Sequence, residues 1–144
     1  MRSHTEFSVV DGTVRIDDLV KAAAKDGQPA VAVTDLSNLF GAVKLYSAAR
    51  KKGVQPIIGA DVWIEPEESG KTPTRLLLLI QNRQGYLRLC ELLGEAWTAP
   101  GQRSHAWVHW ASLAANNAGL ICLSGADLGS IGQDSSDRLG YAWV

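Results

Sequence analysis

Apolar runs and helical periodicities alternate along the chain and predict strands separated by helices. The central part reads as strand, helix and strand: residues 29–33 and 54–64 are apolar runs, and a helix that Asn38 can cap lies between them. Short apolar runs without alternation are typical of strands buried on both faces, and a helix between two such strands predicts a parallel pair. The predicted inner face of this helix consists of Leu39, Val43, Tyr46 and Ala49.

The pattern on either side of this unit predicts further elements of both kinds. Before it, the pattern predicts a first strand within residues 1–7 and a helix that Thr13 or Asp17 can cap, with Ile16, Leu19, Val20 and Ala23 buried. After it come a polar loop over 66–73, a buried strand over 74–81, and a helix over 84–97 that buries Tyr86, Leu89, Leu92, Leu93 and Ala96. A short helix over 110–115 and a fourth buried strand over 119–124 follow. The final stretch, 127–144, has no clear period. This alternation predicts an α/β fold, either a parallel sheet or a partial barrel.

Composition and charge narrow the class of protein. A chain of 144 residues with 46% hydrophobic residues fits one domain with its own core. The net charge of -1 provides no general attraction for nucleic acid. The longest apolar block, 76–80, is far too short to span a bilayer, and no early apolar run resembles a signal peptide. Cys90 and Cys122 lack CxxC spacing and are predicted to be buried free thiols, with a disulfide as the alternative. We expect a soluble cytoplasmic chain with no membrane partner.

Candidate chemistry lies at the predicted ends of strands, where parallel α/β folds build their sites. His4, Asp11 and Asp61 are the candidate metal ligands, and three such groups form a small set for a divalent cation. Each has a structural alternative: His4 as a hydrogen-bonded histidine, Asp11 as the acceptor of a turn before Gly12, and Asp61 as a structural carboxylate after an apolar strand. We expect Asp35 to fix a loop by accepting backbone N–H bonds.

Other catalytic motifs are absent from the sequence. It contains no GxGxxG, Walker, nucleophile-elbow or HExxH pattern. His105 and His109 have the i, i+4 spacing of a helical metal pair, but nearby Pro100 and Gly101 make the segment irregular. The adjacent tryptophans are expected to cover the sheet or to meet another domain.

Four blocks of the sequence together resemble a known family. They are RSHTEFSVVDG, RIDDLV, AVTDLSNLFGAVKLYSAARKKGVQPIIGADVW and LLLLIQNRQGYLRLCELL. In this order and spacing they resemble the amino-terminal PHP (polymerase and histidinol phosphatase) domain of bacterial DNA polymerase III alpha subunits of the replicative type. The resemblance implies the amino-terminal part of a PHP domain over residues 1–133, with an irregular tail over 134–144. It also implies an incomplete, distorted β/α barrel with a largely parallel sheet.

The resemblance also indicates which site residues are kept and which are replaced. In metal-binding members, histidines and carboxylates at strand ends hold divalent ions that hydrolyse phosphoesters. The family's His-x-His motif appears as Arg2-Ser3-His4, its Asp-Gly turn as Asp11, its TDH motif as Thr34-Asp35-Leu36, its acidic residue after PIIG as Asp61, and a later histidine as Arg75. Leucine has no lone pair, and arginine brings a permanent positive charge. The resemblance therefore implies a vestigial site of His4, Asp11 and Asp61, held by arginine–carboxylate contacts and without a cofactor.

The function implied by the resemblance is support of DNA replication. The family's polymerase aspartates belong to a palm domain beyond residue 144, so no catalytic residue is expected here. We expect a scaffold whose partners are the remainder of the alpha subunit, the proofreading exonuclease subunit, and DNA through the full polymerase. One alternative is a PHP phosphoesterase or 3′–5′ proofreading exonuclease that uses Zn, Mn or Mg. Another is a free-standing binding module with the same fold.

The expected number of strands has a consequence for the isolated chain. About four strands of a barrel leave open sheet edges and apolar faces. We therefore expect the isolated chain to self-associate or to be marginally stable.

Overall fold

The computed structural model describes residues 2–8, 11–66, 72–100, 105–125 and 129, and these residues form an α/β fold, as predicted. The elements in chain order are α1 (Ile16–Lys25), β1 (Ala30–Leu36), α2 (Ala42–Lys51), β2 (Gln55–Ile64), β3 (Thr74–Ile80), α3 (Arg83–Thr98), β4 (Trp107–Val108), α4 (Trp110–Ala115) and β5 (Leu120–Ser124). Among the described residues, no helix is long and apolar enough to cross a membrane.

The irregular tail expected over residues 134–144 lies outside the described residues. The extent of the domain predicted for residues 1–133 therefore stays a prediction.

The five strands of the described residues form one sheet, in which β1, β2, β3 and β5 are neighbours in this order and β4 pairs with β2. The β1–α2–β2 unit is a parallel pair, as predicted, with Leu36 beside Asp61 at the end of β1. Beyond it, the two-residue β4 is parallel to the last residues of β2, while β3 is antiparallel to both β2 and β5. The prediction of a largely parallel sheet is therefore wrong, and the sheet is mixed. Only residues 65–73 join β2 to β3, fewer than a parallel crossover needs, so the chain reverses direction.

All the helices that contribute to the core cover the same face of the sheet. Alternate residues of a strand point to opposite faces, and Ala60 and Val62 of β2 point to the face covered by α3 and α4. Val33 of β1 points to the same face and packs on Leu45 of α2 and on α1. The opposite face of β2 and β3 carries the polar residues, among them Asp61. We call this opposite face the site face.

The buried side of the helix α2 matches the predicted one only in part. Ala49 is buried, as predicted, and Leu45 is buried as well, whereas Val43 is 79% exposed and Tyr46 is 54% exposed. A Cβ atom at Gly41 would crowd Ile16 of α1, so this glycine must face inward and sets the orientation of the helix. Leu45 and Ala49, four and eight residues after Gly41, then face inward as well.

The ends of several elements also differ from the prediction. Asn38 does not cap α2; its Oδ1 accepts a hydrogen bond from the backbone N–H of Phe40 in the preceding turn. The first seven residues form no strand in the described part of the chain, where Thr5 makes a single bridge to Val14. In α3, Tyr86 is exposed although it was predicted to be buried.

The last strand, β5, is exposed although it was predicted to be buried. Ile121 and Leu123 are 43% and 39% exposed, because β5 lies at the end of the described sheet. Cys122 on this strand is exposed as well, and Cys90 is half-buried. Both thiols are free, as predicted, but the prediction that they are buried is wrong for Cys122.

Candidate functional site

Asp61 is the centre of the polar cluster on the site face. It is fully buried and lies beside Leu36 of β1 and opposite Leu77 of β3. Arg2 Nε lies 2.5 Å from Asp61 Oδ2, and Arg75 Nη2 lies 2.6 Å from the same oxygen. The Nε of Arg75 also donates to Asp61 Oδ1 at 3.3 Å. One buried carboxylate is thus held by two guanidinium groups, one of which binds both of its oxygens.

The position of Arg75 follows from the register of the β2–β3 pair. Arg75 is opposite Trp63, and its guanidinium carbon lies 4.9 Å from the centroid of the Trp63 ring. A guanidinium group over an indole ring makes a favourable cation–π contact. His105 also contacts the Trp63 ring, with 4.8 Å between ring centroids. Arg75 is therefore held by a carboxylate and an aromatic ring at once.

His4 lies between the two carboxylates of the cluster. Its Nδ1 is 2.8 Å from Asp11 Oδ2, and its Nε2 is 3.1 Å from Asp61 Oδ2. The hydrogen bond to Asp61 raises the pKa of His4 above 6.5; burial opposes this shift, and Asp11 adds to it. As an imidazolium, His4 donates one hydrogen bond to each aspartate, through Nδ1–H to Asp11 and through Nε2–H to Asp61. Arg75 Nη2 and His4 Nε2 lie 3.3 Å apart. Because both nitrogens are then N–H donors, they do not bond to each other, and both donate to Asp61.

Asp35 fixes the loop that carries His4, in agreement with its predicted role. The Asp35 carboxylate is buried and accepts hydrogen bonds from Thr5 N at 2.6 Å, Thr5 Oγ1 at 2.9 Å and Ser8 Oγ at 2.8 Å. Ser8 Oγ in turn accepts from Leu36 N. These bonds anchor the loop to the end of β1 and place His4 over the site face.

The structure brings the three predicted ligands together but does not give them a geometry that suits a metal. Both nitrogens of His4 are engaged with aspartates, and Asp61 Oδ2 already accepts from Arg2, His4 and Arg75. In the described part of the chain, no group of three or more His, Cys, Asp or Glu side chains is arranged to hold a metal ion. These donors do not fit a divalent cation, because positive N–H groups surround the carboxylate that would bind it.

The two later histidines are not a metal pair. His105 lies against Trp63, whereas His109 immediately precedes α4 and contacts the carboxylate of Glu65 through Nδ1. Because they do not share a helix, the i, i+4 spacing does not bring them onto one surface. Trp107 lies beside Trp63 in the β2–β4 pair, so part of this aromatic segment extends the sheet.

Sequence reasoning missed three residues of the cluster and its support: Trp63, Thr5 and Ser8. The sequence marks Trp63 only as part of the apolar run over residues 54–64. Its role depends on the pairing of β2 with β3, which places it opposite Arg75. A signal was available in the short connection between these strands, which favours an antiparallel pair.

The comparison with protein families assigns the fold and the cluster to a known group. The profile of the PHP domain matches residues 1–138, nearly the whole chain. The chain belongs to the PHP domain family. The predicted resemblance is thereby confirmed, and the cluster around Asp61 occupies this PHP domain's site face.

Curated relatives of this PHP domain are alpha subunits of DNA polymerase III, matched in their amino-terminal region. The chain is 45% identical to the subunit of Neisseria meningitidis serogroup A over 138 residues, 92% of this chain and 12% of that protein. It is 47% identical to the Pseudomonas aeruginosa subunit over 135 residues, 92% of this chain and 11% of that protein. Identity to the Escherichia coli K12 subunit is 37% over 133 residues, 92% of this chain and 12% of that protein. The chain thus spans 11–12% of the length of these relatives.

Solved structures share the fold of this PHP domain. A proposed metal-dependent phosphoesterase from Bifidobacterium adolescentis aligns with a TM-score of 0.53 and 22% identity, over 68% of this chain and 32% of that chain. An amidohydrolase from Chromobacterium violaceum aligns with a TM-score of 0.52 and 19% identity, over 66% of this chain and 31% of that chain. At this level of identity the two alignments speak to the fold alone.

Proposed function

We propose that this PHP domain is a non-catalytic scaffold within a bacterial replicative DNA polymerase III alpha subunit. The identity of 37–47% to such subunits over 92% of the chain supports the assignment to replication. One observation carries the non-catalytic role: Asp61, the most buried candidate ligand, is bound by Arg2 and Arg75. Positive side chains stand where divalent ions would otherwise balance the carboxylates.

The cluster has a mechanical consequence that suits a scaffold. Arg2 and His4 belong to the amino-terminal segment, Asp61 to β2, and Arg75 to β3, so one buried carboxylate joins three parts of the chain. The free-energy cost of removing one partner from a buried ion pair is about 3–5 kcal/mol, because the remaining charge is left unpaired. The arginines therefore tie the segment to the sheet as bound ions would.

The metal-free scaffold is tested by metal analysis and activity together. The purified chain is dialysed against Zn²⁺, Mn²⁺ or Mg²⁺, and its metal content is measured. Its cleavage of p-nitrophenyl phosphate and of a 3′-labelled single-stranded oligonucleotide is then assayed. We expect less than one ion per ten chains, no turnover above a protein-free control, and the same melting temperature with and without EDTA. Stoichiometric metal with turnover that disappears in His4→Ala would contradict the scaffold.

The same experiment decides the second candidate function, a PHP phosphoesterase or 3′–5′ proofreading exonuclease. The observation in its favour is that His4, Asp11 and Asp61 do meet at one place on the site face. Such an enzyme would need Zn²⁺, Mn²⁺ or Mg²⁺ to displace Arg2 and Arg75 from Asp61. In that case Arg2→Ala should increase both metal content and turnover, whereas the scaffold predicts no gain in either.

The proposed partners are the remainder of the alpha subunit and the proofreading exonuclease subunit, in the cytoplasm. Support comes from the similarity to alpha subunits, of which the chain spans 11–12%. DNA would be reached through the full polymerase and not by this chain, whose net charge is -1. Calorimetric titration with the exonuclease subunit from the same genome tests whether this chain binds the exonuclease. Titration with duplex DNA tests whether it binds DNA. We expect saturable binding of the exonuclease and none of DNA at 150 mM salt.

A further inference from the structure

The helix α2 presents a row of large apolar side chains to solvent. Val43 and Tyr46 are exposed, and Phe40, in the turn before the helix, is 73% exposed. Residues three apart are neighbours on a helix surface, so the three side chains form one row on the side away from the buried Leu45 and Ala49. Single exposed apolar residues are ordinary in soluble proteins, whereas a group of large ones on one surface marks an interaction site.

The charges beside this row are all positive. From residue 36 to residue 60 the chain has no Asp or Glu, and its four cations there are Lys44, Arg50, Lys51 and Lys52. Lys44 pairs with Glu6 at 2.6 Å, whereas the other three form no ion pair within the described part of the chain. The dipole of α2 accounts for cations in its last turn, but it does not account for an exposed apolar row beside them. The outer side of α2 is therefore both apolar and positively charged.

A cavity between α1 and α2 adds to this positive charge. Its volume is about 390 Å³, and only one of the eight residues that line it, Asp17, is a carboxylate. Four of the eight are lysines: Lys21, Lys44, Lys51 and Lys52. Cavities of this size are large enough to bind a small molecule, and hence a side chain. The cavity can therefore take an acidic side chain of a segment that binds to α2.

We infer that the α2 outer face, which consists of Phe40, Val43, Tyr46, Arg50 and Lys51, docks an acidic amphipathic helix of a partner protein. The apolar side of that helix packs on the row, and its Asp and Glu side chains bind the cations and reach the cavity. Ridges of side chains three residues apart on one helix pack into the grooves of another. The inference uses only the surface of α2 and its cavity, and it does not rest on the proposed function.

Other occupants suit the α2 outer face less well. A second copy would set Arg50 and Lys51 against the same cations, which repel each other. Single-stranded nucleic acid binds through cations and stacking rings, but Val43, the most exposed residue of the row, provides neither. The last described strand, β5, lies at the opposite edge of the sheet from β1, about 14 Å away at the usual strand spacing. The chain after β5 therefore leaves the described fold far from α2.

The test measures the binding of a synthetic peptide with Leu and Trp on one side of a helix and Glu on the other. A length of about 18 residues gives five helical turns. By fluorescence anisotropy, the chain should bind this peptide at least about tenfold more tightly than a peptide with Lys in place of Glu, or one with its residues scrambled. Equal binding of the Glu and Lys peptides, or displacement of the Glu peptide by a single-stranded oligonucleotide, would overturn the inference.

Two matched pairs of variants locate the contact. Val43→Asp and Lys51→Glu should each weaken binding of the Glu peptide about tenfold or more. Leu87→Asp, at a 51% exposed position on α3, and Lys25→Glu, in the last turn of α1, should leave it unchanged. Lys51 is in the last turn of α2, so the two lysine variants change net charge and helix dipole alike. Circular dichroism shows that each variant is folded, and equal dissociation constants within either pair would refute the interface.

A final measurement separates a partner protein from the rest of a longer polypeptide. An intact alpha subunit that contains this chain should bind the Glu peptide as tightly as the chain alone, and Val43→Asp should weaken binding by the same factor in both. Loss of binding in the intact subunit would show that its own polypeptide covers the α2 outer face, and the inference would then be wrong.

Discussion

Asp35 is a buried charge with neutral partners, and its value to the fold can be measured. Its carboxylate accepts hydrogen bonds from Thr5 and Ser8, and no Lys or Arg contact with it is among the bonds of the described residues. We expect Asp35→Asn to lower the free energy of unfolding by about 1–3 kcal/mol, because the NH₂ group of the asparagine would face the N–H and O–H donors of Thr5 and Ser8 without a hydrogen bond. Asp18→Asn, at an exposed position that pairs weakly with Lys21, should change it by less than about 0.5 kcal/mol. Urea denaturation measures both, and equal effects would contradict this role of Asp35.

His4 makes the stability of the chain depend on pH in a defined direction. Its hydrogen bond with Asp61 raises its pKa in the folded state above the 6.5 of the unfolded chain. Folding therefore favours the protonated form, and this contribution is complete below about pH 6.5 and is lost as the pH rises through the folded-state pKa. We expect the free energy of unfolding of the wild type to exceed that of His4→Gln most at about pH 6, and the difference to shrink by about pH 8.5. A difference that grows with pH would show that His4 is neutral in the folded chain.

At the scale of elements, two glycines of the helix α3 provide a matched test of packing. A Cβ atom at Gly85 would overlap the carbonyl oxygen of Gly119, the residue before β5. A Cβ atom at Gly94 would meet nothing within 4 Å. We expect Gly85→Ala to destabilise the chain by about 1–3 kcal/mol through this overlap. Gly94→Ala should stabilise it by about 0.5–1 kcal/mol, because alanine loses less backbone freedom in a helix. Thermal melts of the two variants decide the point, and a loss in both would mean that helix α3 is constrained along its whole length.

The elements also show where local patterns are sufficient. The β1–α2–β2 unit follows from two apolar runs and a helical stretch between them, because its contacts are close in sequence. The buried side of α2 could not be predicted in the same way. Leu39, Val43, Tyr46 and Ala49 share a period, but the tight contact of Gly41 with α1 decides which side faces inward. Such a contact depends on another helix and leaves no periodic signal.

At the scale of the whole molecule, the candidate site combines residues that are distant in sequence. His4, Asp11 and Asp61 could be selected because they follow or end predicted strands and match family motifs. The contact of Arg75 with Trp63 required the antiparallel register of β2 and β3, which the expected parallel sheet excluded. The sequence therefore indicated which groups occupy the site, but not which groups bind one another.

The Asp61–Arg75 pair tests whether the cluster stabilises the whole chain. Both side chains are buried, so Asp61→Asn should leave Arg75 without its main partner and cost about 3–5 kcal/mol of unfolding free energy. Arg75→Met alone should cost less, because Arg2 and His4 still bind Asp61. If the pair acts as a unit, the double variant should be more stable than the sum of the single effects predicts, by about 1–3 kcal/mol.

The same cycle separates a local from a global role for the cluster. Amide exchange of residues 3–8 should accelerate in Asp61→Asn together with that of β2 and β3, since one carboxylate joins all three. The matched control is the exposed pair Lys21–Asp18, where the same cycle should give a coupling energy below about 0.5 kcal/mol. Acceleration confined to residues 3–8 would mean that the arginines hold only the amino-terminal segment. In that case only the backbone hydrogen bonds, and not the Asp61–Arg75 ion pair, would hold β2 and β3 together.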